Sequence, residues 1–349
     1  MTERRAAPNP PSFPPPEAPS SAATWLKRAL VAIASIAGLY LLVVLALAYY
    51  WCHQPATFEI AEVLPEGAVQ ADGAPAPGSA LVTAVVGIGE TLLDKPGGFL
   101  HNDVVPPGAF LDNCPSWECG ALMAVKDSVR SLRNDFSRSQ SQSFEDDDVK
   151  RADLQFAIDP KSWLFPAAED EYRQGIDALK RYREKLMASP QSGNLFHARA
   201  DNLADYLNVI EKRLGHQGSR LSSSVADPVL TQALAPKQAE GEVGTEAPKT
   251  PWDEVDDVFY CTRGYSWALL HIMQAIQLDF RDTIEAKNAE ALLSQIIRDL
   301  QGATRAMSSP IILNGDGYGV LANHSLTIAS YVSRVNASVL DLKILLKDG

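Results

Sequence analysis

The residues of this chain best suited to chemistry gather in one short stretch, Lys95 to Glu118, which holds His101, Asp103, Asp112 and Glu118. Carboxylates beside an imidazole can exchange protons with a substrate or hold a metal ion. No pair among them has the spacing of an established metal motif. No metal is therefore expected, and His101 is the one residue that would join a site if there were one. The competing role for Asp103 and Asp112, with Asn102 and Asn113, is to cap turns and helix ends.

Two further groups of polar residues stand out. Gly315, Gly317 and Gly319 alternate just ahead of a helix start, a place that favours an anion, with Asn323 and His324 directly beyond. The run lacks the Lys-Ser/Thr of a phosphate loop and the glycine spacing of a dinucleotide fingerprint, so it reads as a tight turn. His324 would act with Asp103, Asp112 and Glu118 only if two distant loops meet; otherwise it is a packed histidine. The third group, Arg133, Asp135, Arg138, Ser139 and Ser141, could grip an acidic partner or a phosphate, or end a helix in solvent. There is no Gly-x-Ser-x-Gly elbow and no His-Glu-x-x-His, and none of the four cysteines has a histidine partner that suggests a nucleophile. No cofactor is expected, and no catalytic mechanism is written in the motifs.

The element that positions everything else is Ala29 to Trp51, an apolar run without a charge. As a helix it reaches roughly 35 Å, enough to cross a hydrocarbon core of about 30 Å. Only a helix satisfies such a segment's backbone inside lipid. Trp25 precedes it, and Tyr49, Tyr50 and Trp51 close it, as suits rings that favour the two interfaces. Lys27 and Arg28 flank its start, and the first charges after Trp51 are acids, so residues 1–24 are expected in the cytoplasm and the rest across the membrane. Ala46-Leu47-Ala48 resembles a signal-peptidase site, but the run exceeds the roughly 7–15 residues of a signal core. An uncleaved span, 25–52, is the expectation.

Of the 349 residues, 46% are hydrophobic and 21% charged, ordinary for a globular body. The net charge is −12; the residues before the anchor sum to +2, leaving −14 for the exported part. An acidic body lacks the clustered Lys and Arg that phosphate contacts need, which excludes nucleic acid as a partner. Cys114 and Cys119 either close a small disulfide loop in an oxidising compartment or remain thiols.

Residues 1–24, with Pro10, Pro11, Pro14, Pro15 and Pro16, read as a disordered tail. Leu81 to Val86 fits a strand or a helical turn. Lys95 to Glu118 is too rich in Pro and Gly for long regular structure, yet Phe99, Leu100, Phe110, Leu111 and Trp117 want burial, so it reads as an ordered, packed loop. Helices follow. Leu122, Val125, Val129, Leu132 and Phe136 form one stripe over about Cys119–Phe136. A second helix opens near Pro166, with Tyr172, Ile176, Leu179 and Leu186 inward. A third runs over about Leu195–Val225. Asp227 to Thr250 reads as a flexible insertion dividing the exported part into 53–226 and 251–349. Thr250-Pro251-Trp252-Asp253 reads as a helix start, leading into a long helix that continues or kinks near Lys287. Leu321, Ser325, Ile328, Val332, Val335, Val339, Leu342 and Leu346 alternate steps of four and three, the signature of bundle packing. The fold class is all-α: one transmembrane helix, then an antiparallel helical bundle carrying an ordered Pro/Gly-rich loop.

Several phrases together carry a resemblance: Lys95–Asp103, Pro106-Pro107-Gly108, Phe110–Asn113, Trp117-Glu118, Arg133–Gln142 and Asn314–Ser325. With them the chain resembles an uncharacterised domain-of-unknown-function family of Gram-negative bacterial single-pass inner-membrane proteins. The likeness runs from the anchor almost to the C-terminus and is weakest over Asp227–Thr250. It implies an inner-membrane protein with a periplasmic body and carries no catalytic residue. The expected function is an envelope scaffold or adaptor, held to the bilayer through Ala29–Trp51 and contacting envelope proteins. Heptad-like spacing is also compatible with a homo-oligomer. The alternative is an envelope hydrolase or ligand-binding protein with its site where the Lys95–Glu118 loop meets the Gly315–His324 turn.

Overall fold

The computed structural model describes residues 21–70, 73–138, 145–188, 195–225, 250–307, 309, 311–315 and 320–347. The Pro-rich tail expected over 1–24, apart from its last four residues, lies outside them. So do the Asp227–Thr250 insertion except Thr250, residues 316–319 of the glycine turn, and Ser139 and Ser141 of the polar run. The chain divides into two units, Met1–Leu47 and Ala48–Gly349.

The first unit holds most of α1 (Ser21–Trp51), whose stretch Thr24–Trp51 is long and apolar enough to cross a membrane. Its large apolar side chains are exposed along its length. Residues that elsewhere would seek a core have none here.

The second unit is all helical among its described residues, with two isolated backbone bridges and no strand. After the short α2 (Ile60–Val63) come α3 (Ser79–Asp94), α4 (Asn113–Ser131) with a π-turn over Leu132–Phe136, and α5 (Asp147–Phe156). Then follow α6 (Ala168–Ala188), α7 (Ala200–Val225), α8 (Val255–Asp279), α9 (Arg281–Ala286), α10 (Glu290–Ala303) and α11 (His324–Lys347). Leu81–Val86 belongs to α3 and not to a strand. All six of its side chains are buried, and a helix covered on every side shows no amphipathic period.

Helix α8 is the centre of this bundle, packed against α4, α3 and α10, while α7 pairs with α11 and α5 with α6. Most neighbours are antiparallel, as the ion pairs Lys180–Glu90 and Arg173–Asp94 between α6 and α3 show. The closest pair is parallel. Ser116 meets Asp257 at one end of α4 and α8, and Phe136 meets Phe280 at the other. Glycines permit this approach: a methyl group on Gly120 would lie 1.8 Å from the carbonyl oxygen of Cys261, and one on Gly264 1.8 Å from that of Trp117.

Several boundaries differ from those the sequence suggests. Helix α7 begins at Ala200, because Leu195–Arg199 is held outside the helix: the His197 amide donates to the Phe136 carbonyl, and Phe196 stacks on Phe136. Helix α6 begins at Ala168, two residues after Pro166. Trp252–Glu254 forms a 3-10 turn before α8. The long helix expected beyond it stops at Asp279, and Asn288, at φ +52°, closes the short α9 before α10.

The bundle has two ends. Trp51 lies at the near end, against Gly97, and the segment after Cys52 then runs beside α8 toward the far end. Along the way Arg263 donates to Gln54, the Phe58 amide to Nε2 of His271, and Gln274 to Glu59. The described residues of the connections 95–112, 157–167 and 304–323 and the start of α8 lie at the near end. The described residues of 137–146, 195–199 and 280–289 lie at the far end.

Candidate functional site

The Lys95–Glu118 loop is built around one buried acid. Glu118, in the first half of α4, is fully buried; both its oxygens accept the Leu100 amide, at 2.9 and 3.0 Å, and Lys95 Nζ lies 2.5 Å away. Lys95 also donates to the carbonyl of Gly98, closing a turn in which Gly97 and Gly98 hold φ +88° and +71°. Only glycine adopts such angles without strain, which accounts for the Lys-Pro-Gly-Gly phrase. Burial pushes the Glu118 carboxyl up to about 7, against the pull of Lys95 and of the Leu100 and His101 amides.

The other residues marked for chemistry each have partners of their own. Asp112 caps α4, accepting from the Asn113 amide at 2.8 Å. His101 Nδ1 lies 3.0 Å from the carbonyl oxygen of Pro115, and burial lowers its pKa. Asp103 packs against Gly108, where a side chain would collide with its carboxylate, and burial together with Glu169 raises its pKa. Asn102 donates to the Ser162 carbonyl and to Glu169, at 2.9 and 2.8 Å, and so ties this loop to 157–167.

His324 opens α11. Its Nδ1 accepts the Leu313 amide at 2.9 Å while its own amide donates to the Leu313 carbonyl, and its ring lies 6.3 Å from that of Phe259. Asn323 donates to the Gly315 carbonyl and accepts the Leu326 amide. In the polar run, Arg133 is paired with Glu145 and Asp153. Among the described residues no group of three or more His, Cys, Asp or Glu is placed to hold a metal ion.

The cysteines pair in a way the spacing did not suggest. Cys114 is joined to Cys52, not to Cys119. The Trp51 ring lies over Gly97, where a methyl group would come within 2.7 Å of it. The loop is thereby fastened to the residues that end the apolar run. The remaining thiols, Cys119 and the buried Cys261, hydrogen-bond to each other, and that bond pulls Cys119 down to about 7.

The loop, its buried acid and the His324 turn coincide with the phrases that carry the family resemblance. A family model described as "uncharacterized protein conserved in bacteria" matches residues 24–349. This chain belongs to that family, DUF2333. Comparison of the DUF2333 chain with curated proteins and with solved structures found no match.

Sequence reasoning missed several residues that organise this DUF2333 body. Lys95 is the partner of Glu118; a lysine directly before a Pro-Gly-Gly turn was the available signal. Arg263, buried in α8, donates to Gln54 and to the carbonyls of Ala303, Thr304 and Arg305, closing the end of α10. Asp279 accepts the Ala80 and Leu81 amides, at 3.3 and 2.7 Å, and caps α3, whose own N-cap is Gly78. These pairs are separated by 199 and 198 residues, beyond the reach of any local pattern.

Proposed function

We propose that this DUF2333 protein is an inner-membrane scaffold or adaptor, anchored through Ala29–Trp51, with residues 1–24 in the cytoplasm and its helical body in the periplasm. One observation carries the reading. The residues best suited to chemistry, Glu118, Asp112, His101 and His324, are each engaged by backbone groups of the fold. What remains for partners is surface, and α11 leaves Leu340, Ile344 and Leu345 partly exposed. An apolar stripe on a long helix suits another envelope protein or a second copy of this chain. The Cys52–Cys114 pairing supports an oxidising compartment.

The test is cross-linked affinity purification of the full chain from intact membranes, against an anchor-only control. One or two near-stoichiometric envelope proteins, or the chain itself, are expected. They should disappear in Leu340→Glu/Ile344→Glu and persist in Asp103→Asn. A chain that purifies alone, or a partner that ignores both α11 substitutions, overturns the reading.

A second reading, an envelope hydrolase or ligand-binding protein, is favoured only at Asp103. Its carboxyl is held above the usual range by burial and by Glu169, and the oxygen of the Asn102 amide is buried without a partner. If Asp103→Asn abolishes the cellular phenotype while folding is unchanged, this second reading takes precedence.

A further inference from the structure

Most of the large apolar side chains left exposed on loops are gathered at one end of the bundle, Val69 on the connection into α3 being an exception. Val105 and Phe110, 77% exposed, stand on the 95–112 loop. Trp163 and Phe165, the latter 90% exposed at φ +43°, stand on 157–167. Trp252, 88% exposed, precedes α8, and Val320 is fully exposed before α11. These are four separate connections, and the fold places all of them at the near end. Asn102 ties the first to the second, the Ser116–Asp257 bond ties α4 to the start of α8, and Arg263 ties Gln54 to Ala303–Arg305. Among the described residues, the far-end connections 137–146, 189–199 and 280–289 present no exposed large apolar side chain. Elsewhere such side chains sit on helix flanks, as Leu154 and Leu340 do, or in the segment 53–78.

We infer that this end of the body is a lipid-seated rim: the four connections rest their aromatic and aliphatic tips in the outer interface of the bilayer that α1 crosses. The inference rests on the anchored reading above. Trp51 closes the apolar run, and Cys52 follows it directly, so chain continuity puts both at the membrane surface. The Trp51 ring against Gly97 and the Cys52–Cys114 bond then hold the 95–112 loop at that level. Trp and Phe on short, polar-flanked loops suit this depth, where one side of a ring is apolar and the other wet. A second copy anchored in the same bilayer meets this one flank to flank, so lipid is the occupant that matches a face turned toward the membrane plane. On the rim the acids Asp112, Asp159, Asp256 and Asp257 outnumber Lys161 and Arg305, so the attachment is apolar and does not depend on anionic lipid.

The test uses the full chain in nanodiscs of zwitterionic lipid, with and without lipid spin-labelled near the headgroup. Wild type is compared with Trp163→Phe/Trp252→Phe, so that the difference in emission reports these two exposed rings. Spin-labelled lipid should reduce that difference emission at least twofold, aqueous iodide should change it little, and salt should not alter either result. If the difference emission ignores the lipid label while part of the emission left in the variant, the share of Trp25 and Trp51 beside the buried Trp117 and Trp267, is quenched, the chain is anchored and the body stands off the bilayer. That outcome overturns the rim alone. If no emission responds to the label, the anchored reading falls with it. Rings shielded from both lipid and iodide are covered by protein, which also overturns the rim.

Discussion

The amide of Leu100 donates to both carboxylate oxygens of Glu118, at 2.9 and 3.0 Å, across a loop that would otherwise have no regular structure. Lys95 completes the arrangement at 2.5 Å, so a loop rich in Pro and Gly is pinned from beneath by one side chain of α4. A buried pair of this kind is strongly destabilising to break, because the surviving charge has no partner, yet often neutral to replace as a whole. At pH 8, where the Glu118 carboxyl is ionised, Glu118→Gln should therefore cost on the order of 3 kcal/mol. Lys95→Met/Glu118→Gln should recover a large part of that loss. Urea unfolding followed by tryptophan fluorescence gives both values. Glu118→Gln within 1 kcal/mol of wild type, or a double variant no more stable than Glu118→Gln, would show that the pair does not hold the loop.

His271 makes stability depend on pH. It lies inside α8 with Nδ1 2.7 Å from the Trp267 carbonyl oxygen, while Nε2 accepts the Phe58 amide at 3.1 Å and the ring stacks on Phe58. Burial lowers its pKa to about 4, from 6.5. The folded state thus binds fewer protons than the unfolded one between these values. The contribution of neutral His271 is fully present above pH 6.5 and is lost as pH falls toward 4, reaching about 3 kcal/mol. Glu118 and Asp279, both raised by burial to about 7, act in the opposite sense: their contribution is present at low pH and lost as pH rises toward 7. The two effects are separated by the difference between wild type and His271→Gln, whose side chain can still accept the Phe58 amide. Wild type should lose stability relative to the variant steadily from pH 6.5 to 4. Parallel curves for the two proteins would remove His271 as the source.

How much of this was legible depended on how far apart the partners lie. The stripe of α11 from Ser325 to Leu346 was read correctly because its period is local, and each of those positions is buried. Leu321, counted in the same register, lies before the helix and is exposed, since the turn that returns Asn323 to Asn314 intervenes. Helix α3 was ambiguous because apolar residues on every face leave no period to read. The packed Lys95–Glu118 loop was legible from its apolar residues set among Pro and Gly. The use of Glu118 was not, because a carboxylate in sequence looks the same whether it faces a substrate or the amide of Leu100. Asp279 on α3, His271 on Phe58 and Cys52 on Cys114 are relations the fold creates, and no spacing announces them.

The crossing of α4 and α8 gives the most direct test of the packing. At Gly264 a methyl group would fall 1.8 Å from the Trp117 carbonyl oxygen and 3.1 Å from the Ala121 amide nitrogen, both backbone atoms of a neighbouring helix that cannot rotate aside. Gly264→Ala must push the helices apart, and overpacking of this kind costs about 3 kcal/mol or more. Gly215, in α7, offers the opposite case, with nothing within 4 Å of an added methyl group. There the gain in helix propensity is unopposed, and Gly215→Ala should stabilise by about 1 kcal/mol. Paired thermal melts should move in opposite directions, Gly264→Ala down by roughly 6–12 °C and Gly215→Ala up by roughly 2–4 °C, on the scale set by domain size. Gly264→Ala melting at or above the wild-type temperature would mean that α4 and α8 are not in backbone contact, and the parallel pair at the centre of the bundle would have to be redrawn.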